Sequence, residues 1–217
     1  MQSPHLSEIA MTLKEGLRES LSPDQIGLFH PLLRLLAEGN PVSVGQIAAT
    51  LHLSHDDVTS ALGRLRNIEF DRDGNIVGAG ITLNPTRHRF QVNGRMLFTW
   101  CAMDTLIFPM ILNQTADVVS TCPATGFTIW LTVTPGGVEY LEPADAVVSL
   151  PRLSETCCDV RADFYNQVHF FSSSDAASAW LSERPGATLL SIEEAWRIGG
   201  ALAGSVFRSP SEIGRDP

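Results

Sequence analysis

Apolar residues recur at helical spacing over the first forty residues of the chain. Leu6 and Leu13 share one face of such a helix, and a second apolar face follows a break at Ser22-Pro23. Gly39-Asn40-Pro41 is typical of a helix end. This pattern predicts two helices within residues 5–40.

The pattern over residues 43–66 is that of a helix-turn-helix. Ser43 and Ser54 each precede an apolar stretch of helical period, and a serine hydroxyl at that position accepts from backbone N–H groups of the helix start. An Asp73-Gly74 step follows, which favours a hairpin. The combination predicts a winged-helix arrangement.

Beyond residue 80 the chain changes to short strand-like runs mixed with helices. We predict strands at 90–92, 116–120, 127–133, 146–150 and 168–171. We predict helices at 101–112, at 155–166, at 176–183 with Ser174 as the cap, and at 192–203.

These elements predict the α+β class, because few β-α-β alternations occur. The expected architecture is an N-terminal winged-helix-like helical domain, then a mixed or antiparallel sheet domain with flanking helices. The predicted domains are residues 1–80, with a structural role, and residues 81–208, which carry the site. A flexible tail is expected at 209–217.

The charge balance argues against nucleic acid and membranes as partners. The formal net charge of the 217 residues is −9, and an acidic surface repels phosphate groups and anionic lipids. Residues 1–80 carry six basic and ten acidic side chains. The second helix of the predicted helix-turn-helix, which would face DNA, begins with His55-Asp56-Asp57. A domain that packs on the rest of the chain is therefore expected, and metal-controlled DNA binding is the remaining alternative.

The expected compartment is the cytoplasm. Apolar runs are too short to span a bilayer, and the first residues lack the basic and apolar regions of a signal peptide. Cysteines in that compartment are expected to be reduced thiols. The four are Cys101, Cys122, Cys157 and Cys158, and their spacing does not match a structural zinc site.

The candidate chemistry lies in an apolar run in which Cys101 precedes Asp104 by one helical turn. A thiolate binds soft metals, and a neighbouring carboxyl can carry a proton. The pair therefore suits a reaction that holds a soft metal and protonates its departing ligand. The spacing alone also fits an inert core cysteine, because free cysteine often packs as a small hydrophobe.

Five segments of the sequence resemble the organomercurial (alkylmercury) lyases. The most specific is Trp100-Cys101-Ala102-Met103-Asp104-Thr105-Leu106-Ile107-Phe108-Pro109. The other four follow the order of the family and lie at residues 31–37 with 41–43, at 69–78, at 122–126, and at 159–161 with 168–171.

This resemblance implies an enzyme of organomercurial detoxification and mercury resistance, which cleaves carbon–mercury bonds by protonolysis to a hydrocarbon and Hg(II). Cys101 would bind mercury as a thiolate, and Asp104 would relay the proton and help to hold the metal. Trp100 and Phe108 would line the pocket, and Cys122 would be a structural thiol. No resident cofactor is expected. By the same resemblance Hg(II) would be the bound product, an exogenous thiol would be needed, and a mercuric reductase would receive the Hg(II).

The chain departs from the family pattern at the second catalytic cysteine, where Tyr165 stands. A Cys157-Cys158 pair occurs eight residues upstream. In a helix Cys158 would lie about 10.5 Å from the position of Tyr165. It could therefore supply the second thiol only if this segment has a different conformation from that of the family. The source of the second thiol is therefore left open, and the candidates are Cys158, Cys157 and an exogenous thiol. The alternative function is a non-catalytic soft-metal binding protein or sensor, for mercury or copper.

Overall fold

The computed structural model describes residues 4–20, 23–65, 67–152 and 164–206. The predicted tail at 209–217 lies outside these ranges. Of the helix predicted at 155–166, only the last three residues are described, and Tyr165–Gln167 form a single 3-10 turn.

The helix-turn-helix prediction is confirmed. The helices described before residue 66 are α1 (Pro4–Ser20), α2 (Pro23–Ala37), α3 (Val44–Leu51) and α4 (His55–Gly63). Ser43 caps α3 by accepting the backbone N–H of Gln46, and Ser54 caps α4 by accepting that of Asp57. His52 adopts the left-handed conformation, φ 55°, and reverses the chain between the two helices.

Eight strands of the described chain form one sheet, in which every neighbouring pair is antiparallel. In chain order they are β1 (Glu69–Phe70), β2 (Ile76–Ala79), β3 (Ile81–Thr82), β4 (His88–Val92), β5 (Arg95–Thr99), β6 (Ala116–Thr121), β7 (Thr128–Thr134) and β8 (Gly137–Glu142). Their spatial order is β1-β2-β3-β5-β4-β6-β7-β8. The α+β class is confirmed, and the sheet is antiparallel rather than mixed.

The predicted hairpin joins β1 to β2 and continues into this sheet. The Asp71 carboxylate accepts the backbone N–H groups of Asp73 and Asn75, and Gly74 has a φ of +80°. Strand β2 then pairs with β3 across residue 80, and β3 pairs with β5. The helix-turn-helix region is therefore attached to the sheet that leads into Cys101.

Helix α5 (Ala102–Leu112) is buried on all sides apart from the half-buried Met110. It packs between the large sheet and helix α7 (Ile192–Val206). The two helices approach closely at Gly199, where a Cβ would lie only 2.9 Å from Cγ1 of Ile107. A helix that is apolar all round belongs in the middle of a core, and this location shields the thiol at its start from water.

A smaller sheet lies beside the start of α5. Its central strand is β9 (Val147–Leu150), flanked by β10 (Phe170–Phe171) and β11 (Thr188–Ser191), with α6 (Ser174–Ser182) between them in the chain.

The structure corrects some element predictions. Ser173, not Ser174, caps α6, because the Ser173 hydroxyl accepts the N–H of Ala176. Strands β3, β5, β8 and β11 are additional to those predicted. Strand β5 follows Asn93-Gly94, whose positive φ values of 49° and 71° form a tight hairpin turn, so the Asn-Gly step was the signal for it. Among the described residues, no helix combines the length and apolar character needed to cross a membrane.

Candidate active site

Cys101 lies between β5 and α5 and is the N-cap residue of the helix. On one side of it, the Trp100 N–H donates to the Gly80 carbonyl at 3.0 Å. On the other, the Ala102 N–H donates to the Val168 carbonyl at 3.1 Å. Both hydrogen bonds reach other elements, so the backbone around the thiol is fixed by tertiary contacts.

Cys101 and Asp104 face each other across the first turn of α5. The Cys101 N–H donates to Oδ2 of Asp104 at 3.2 Å, and the Asp104 N–H points back to the Cys101 sulfur. This capping box uses a thiol and a carboxylate where a hydroxyl and a Glu or Gln usually serve. The exposed fractions are 1% for Cys101 and 6% for Asp104. The structure therefore brings the two predicted residues together in a shielded position.

Burial favours the neutral form of both groups. Burial raises the pKa of Asp104 from 3.8 to about 7, although hydrogen bonds from Cys101 and from the Trp100 backbone lower it. Burial, and secondly the Asp104 carboxyl, raise the pKa of the Cys101 thiol well above 9.0. At neutral pH the carboxyl can both take up and release a proton, and the thiol keeps its proton until a metal displaces it.

The Tyr165 ring packs against Trp100, the residue that precedes Cys101. Its ring is edge-on to the Trp100 indole, with 5.3 Å between ring centroids and an interplanar angle of 80°. The 3-10 turn that begins at Tyr165 leads to Val168, which receives the hydrogen bond from the start of α5. A half-buried phenol is thus adjacent to the site, and that it occupies the position of the family's second cysteine stays a prediction.

Glu69 is a neighbour of the site that the sequence analysis did not single out. Its Oε1 accepts the indole N–H of Trp100 at 3.0 Å. Its Oε2 accepts from the Asn84 amide at 2.9 Å and from the Thr82 hydroxyl. Glu69 and Trp100 are 31 positions apart, and strand pairing brings them together, so no local sequence signal marks this contact.

Cys122 lies in the turn that follows β6 and is 1% exposed. The Ser172 hydroxyl donates to its sulfur at 3.8 Å. Burial raises the pKa of this thiol, but hydrogen bonds from the Thr125 side chain and from the N–H groups of Ser172, Thr125 and Ala124 outweigh burial and lower it to about 7. These contacts join the turn to the segment after β10, and the structural role of the thiol stays a prediction.

Phe108 packs in the core, edge-on to Phe90 with 6.5 Å between centroids. A Cβ added to Gly80 would lie 2.6 Å from Cζ of Phe108, so this ring supports the backbone segment that holds Trp100. Its role in lining the pocket stays a prediction. Cys157 and Cys158, the other candidates for a second thiol, lie outside the described residues.

Known protein families account for almost the whole chain. Residues 81–204 match the family profile of alkylmercury lyase, and residues 8–80 match that of the helix-turn-helix domain of alkylmercury lyase. The chain therefore belongs to the alkylmercury lyase family. The resemblance that the sequence motifs indicate is confirmed.

Individual relatives align with this chain over most of their length. The chain is 46% identical over 187 residues to an alkylmercury lyase of Streptomyces lividans, covering 86% of each chain. It is 42% identical over 198 residues to that of Staphylococcus epidermidis, covering 91% of each. A solved structure of the mercury-bound form of MerB2 superposes with a TM-score of 0.78 at 25% identity, covering 92% of this chain and 99% of that one.

Proposed function

We propose that this chain is an enzyme that cleaves the carbon–mercury bond of organomercurials by protonolysis. In this proposal Cys101 binds mercury as a thiolate and Asp104 relays the proton. The observation that carries it is the buried contact between these two residues, at 3.2 Å from the Cys101 nitrogen to Oδ2 of Asp104. Relatives at 46% and 42% identity are alkylmercury lyases, which favours an enzyme over a non-catalytic mercury or copper binder or sensor.

Mercury capture and proton delivery are linked through one proton. When an organomercurial R–Hg–X reaches Cys101, a mercury–sulfur bond forms, X leaves as an anion, and the thiol releases its proton. Asp104 is the adjacent acceptor, because burial raises its pKa to about 7. The proton then passes to carbon. The electron pair of the carbon–mercury bond becomes the new C–H bond, R–H departs, and mercury stays as Hg(II) on sulfur.

An external thiol supplies the second sulfur ligand in this proposal. The Tyr165 phenol is a hard oxygen donor, and mercury is a soft metal that prefers sulfur. A small thiolate on mercury would raise the negative charge on the departing carbon and would leave with Hg(II). Cys158 and Cys157 are the alternative sources within the chain.

The proposal extends to the domains, the acceptor of the product and the compartment. In it, residues 81–208 bear the site and residues 1–80 form a structural domain. Thiol-bound Hg(II) would pass to a mercuric reductase. We assign the chain to the cytoplasm, where small thiols are abundant and cysteines stay reduced. DNA is not expected as a partner, because the first turn of α4 carries Asp56 and Asp57.

The direct test is the release of benzene from a phenylmercury salt in the presence of excess small thiol, measured by gas chromatography. We expect catalytic turnover for the unmodified chain and none above background for Cys101→Ala. Cys122→Ala is the matched control, because it removes a buried thiol from a different turn. Equal release by the unmodified chain and Cys101→Ala would refute the proposal, and tight mercury binding without release would favour the non-catalytic binder.

A further inference from the structure

We propose that Glu69 is a positioning residue for the lyase site, which holds the Trp100 indole in place beside Cys101. This inference rests on the proposed function. Glu69 lies on β1, in the hairpin that follows the helix-turn-helix, whereas Trp100 directly precedes the mercury-binding thiol. The hydrogen bond at 3.0 Å from the indole N–H to Oε1 joins the two.

The carboxylate is itself held in one orientation. Oε2 accepts from the Asn84 amide and from the Thr82 hydroxyl, which leaves Oε1 directed at the indole. A hydrogen bond to an ionised acceptor is stronger than one between neutral groups, so this contact can restrain a large ring. The restraint is supplied by Glu69 on β1, which Thr82 on β3 and Asn84 just after β3 hold in place.

The strand opposite Glu69 leaves space for this arrangement. Gly78 is the cross-strand partner of Glu69. A Cβ on Gly78 would overlap Oε2 of Glu69 and would lie 2.9 Å from the Thr82 hydroxyl oxygen. Glycine at this position therefore lets the carboxylate pass across β2 toward Trp100.

A fixed Trp100 indole also restrains the ring that packs on it. The Tyr165 ring meets the Trp100 ring edge-on, so Glu69, Trp100 and Tyr165 form a continuous chain of contacts next to Cys101. Trp100 is 8% exposed and can line the space for the organic group of the substrate. Loss of the Glu69 contact should therefore weaken substrate binding more than it slows proton transfer by Asp104.

A double-mutant cycle tests the link. We expect Glu69→Ala to raise KM for a phenylmercury salt about tenfold with little change in kcat, the scale of one hydrogen bond to a charged group. In a Trp100→Phe background the same substitution should change kcat/KM less than about twofold, because the indole donor is gone. Glu69→Gln keeps one oxygen acceptor but loses the charge, and its NH2 group would face the donors of Thr82 and Asn84, so it should restore only part of the affinity. Glu139→Ala, which removes an exposed carboxylate from β8, is the matched control.

A second readout does not depend on turnover. The chain has four tryptophans, so the 5-fluorotryptophan protein should give four ¹⁹F resonances, and Trp100→Phe identifies that of Trp100. Glu69→Ala should shift this resonance and leave the other three in place, and Glu69→Gln should move it part of the way back. If Glu69→Ala does not fold, Gly78→Ala displaces the carboxylate while keeping its charge and should shift the same resonance.

The two proposals fail in different ways. An unmoved Trp100 resonance, or an equal loss of kcat/KM in both backgrounds of the cycle, would overturn the positioning role and leave the lyase proposal intact. Absence of benzene release from the unmodified chain would overturn the lyase proposal and with it the role of Glu69 in catalysis, whereas the resonance would still report the contact itself.

Discussion

The backbone N–H of Cys101 donates to the carboxylate of Asp104 at 3.2 Å, within the first turn of α5. One contact therefore serves two purposes. It satisfies a backbone donor at the start of a buried helix, and it holds an acid beside a thiol. Helix formation and the relative position of the two reactive groups are thus coupled in this protein.

Asp104→Asn should retain mercury binding and lose turnover. An asparagine oxygen can still accept the Cys101 N–H, so the helix start is preserved, but an amide does not carry the proton. We expect benzene release to fall by about 10² to 10⁴, the usual contribution of a positioned acid or base. Single-turnover release measures this, and titration with Hg(II) measures binding. Asp117→Asn, on the exposed face of β6, is the control. Undiminished release in Asp104→Asn would remove Asp104 from the mechanism.

The stability of the fold should depend on pH through Asp104. The unfolded chain ionises this group near pH 3.8, whereas the folded chain keeps it protonated up to about 7. The folded state therefore binds more protons in this window, and the Asp104 contribution to the free energy of unfolding falls as pH rises from about 4 to about 7. The total change should approach 4 kcal/mol, at about 1.4 kcal/mol per tenfold change in the ionisation constant.

Denaturant titrations of the unmodified chain and Asp104→Asn at several pH values isolate this contribution. Two histidines oppose it, because burial lowers the pKa of the buried His88 to about 3 and that of the half-buried His169 to about 4. The difference between the two proteins cancels the histidines. A difference that stays constant between pH 4 and pH 7 would contradict a raised Asp104 pKa.

Tyr165→Cys should reduce the dependence on added thiol. The Tyr165 ring contacts Trp100, so a thiol in its place would stand close to the mercury on Cys101 and could replace the external ligand. We expect benzene release to reach its maximum rate at about tenfold lower thiol concentration, because a tethered ligand has a high effective concentration. Tyr140, exposed on β8, is the other tyrosine of the chain, and Tyr140→Cys is therefore the matched control. Identical thiol dependence in both variants would show that position 165 does not reach the metal.

Cys122→Ser should separate a structural thiol from a reactive one. The serine hydroxyl can take over hydrogen bonds that the sulfur now accepts from Ser172 and Thr125. We expect the free energy of unfolding to change by only about 1 kcal/mol, with mercury binding and benzene release retained. Cys101→Ser should lose both, which makes the two variants a matched pair. Loss of turnover in Cys122→Ser at unchanged stability would give Cys122 a part in the reaction.

The elements that local chemistry specifies were predictable from the sequence. Ser43 and Ser54 cap the helices expected of them, Asp73-Gly74 forms the expected turn, and the predicted helix at 101–112 is α5 within one residue. The unpredicted strand β8 lies at the sheet edge, where exposed and half-buried positions alternate irregularly and give no period-two signal. Strand β5 was recoverable from Asn93-Gly94.

The sequence by itself determined the family, the helical start of the chain and the pairing of Cys101 with Asp104, because an N-cap residue and the residue three positions later meet in the capping box at a helix start. Only the tertiary structure decided the burial that raises the Asp104 pKa, the approach of Tyr165 to Trp100, and the hydrogen bond from Trp100 to Glu69. Those features depend on strand order and on the packing of distant segments. Neither is encoded in the local pattern of apolar and polar residues.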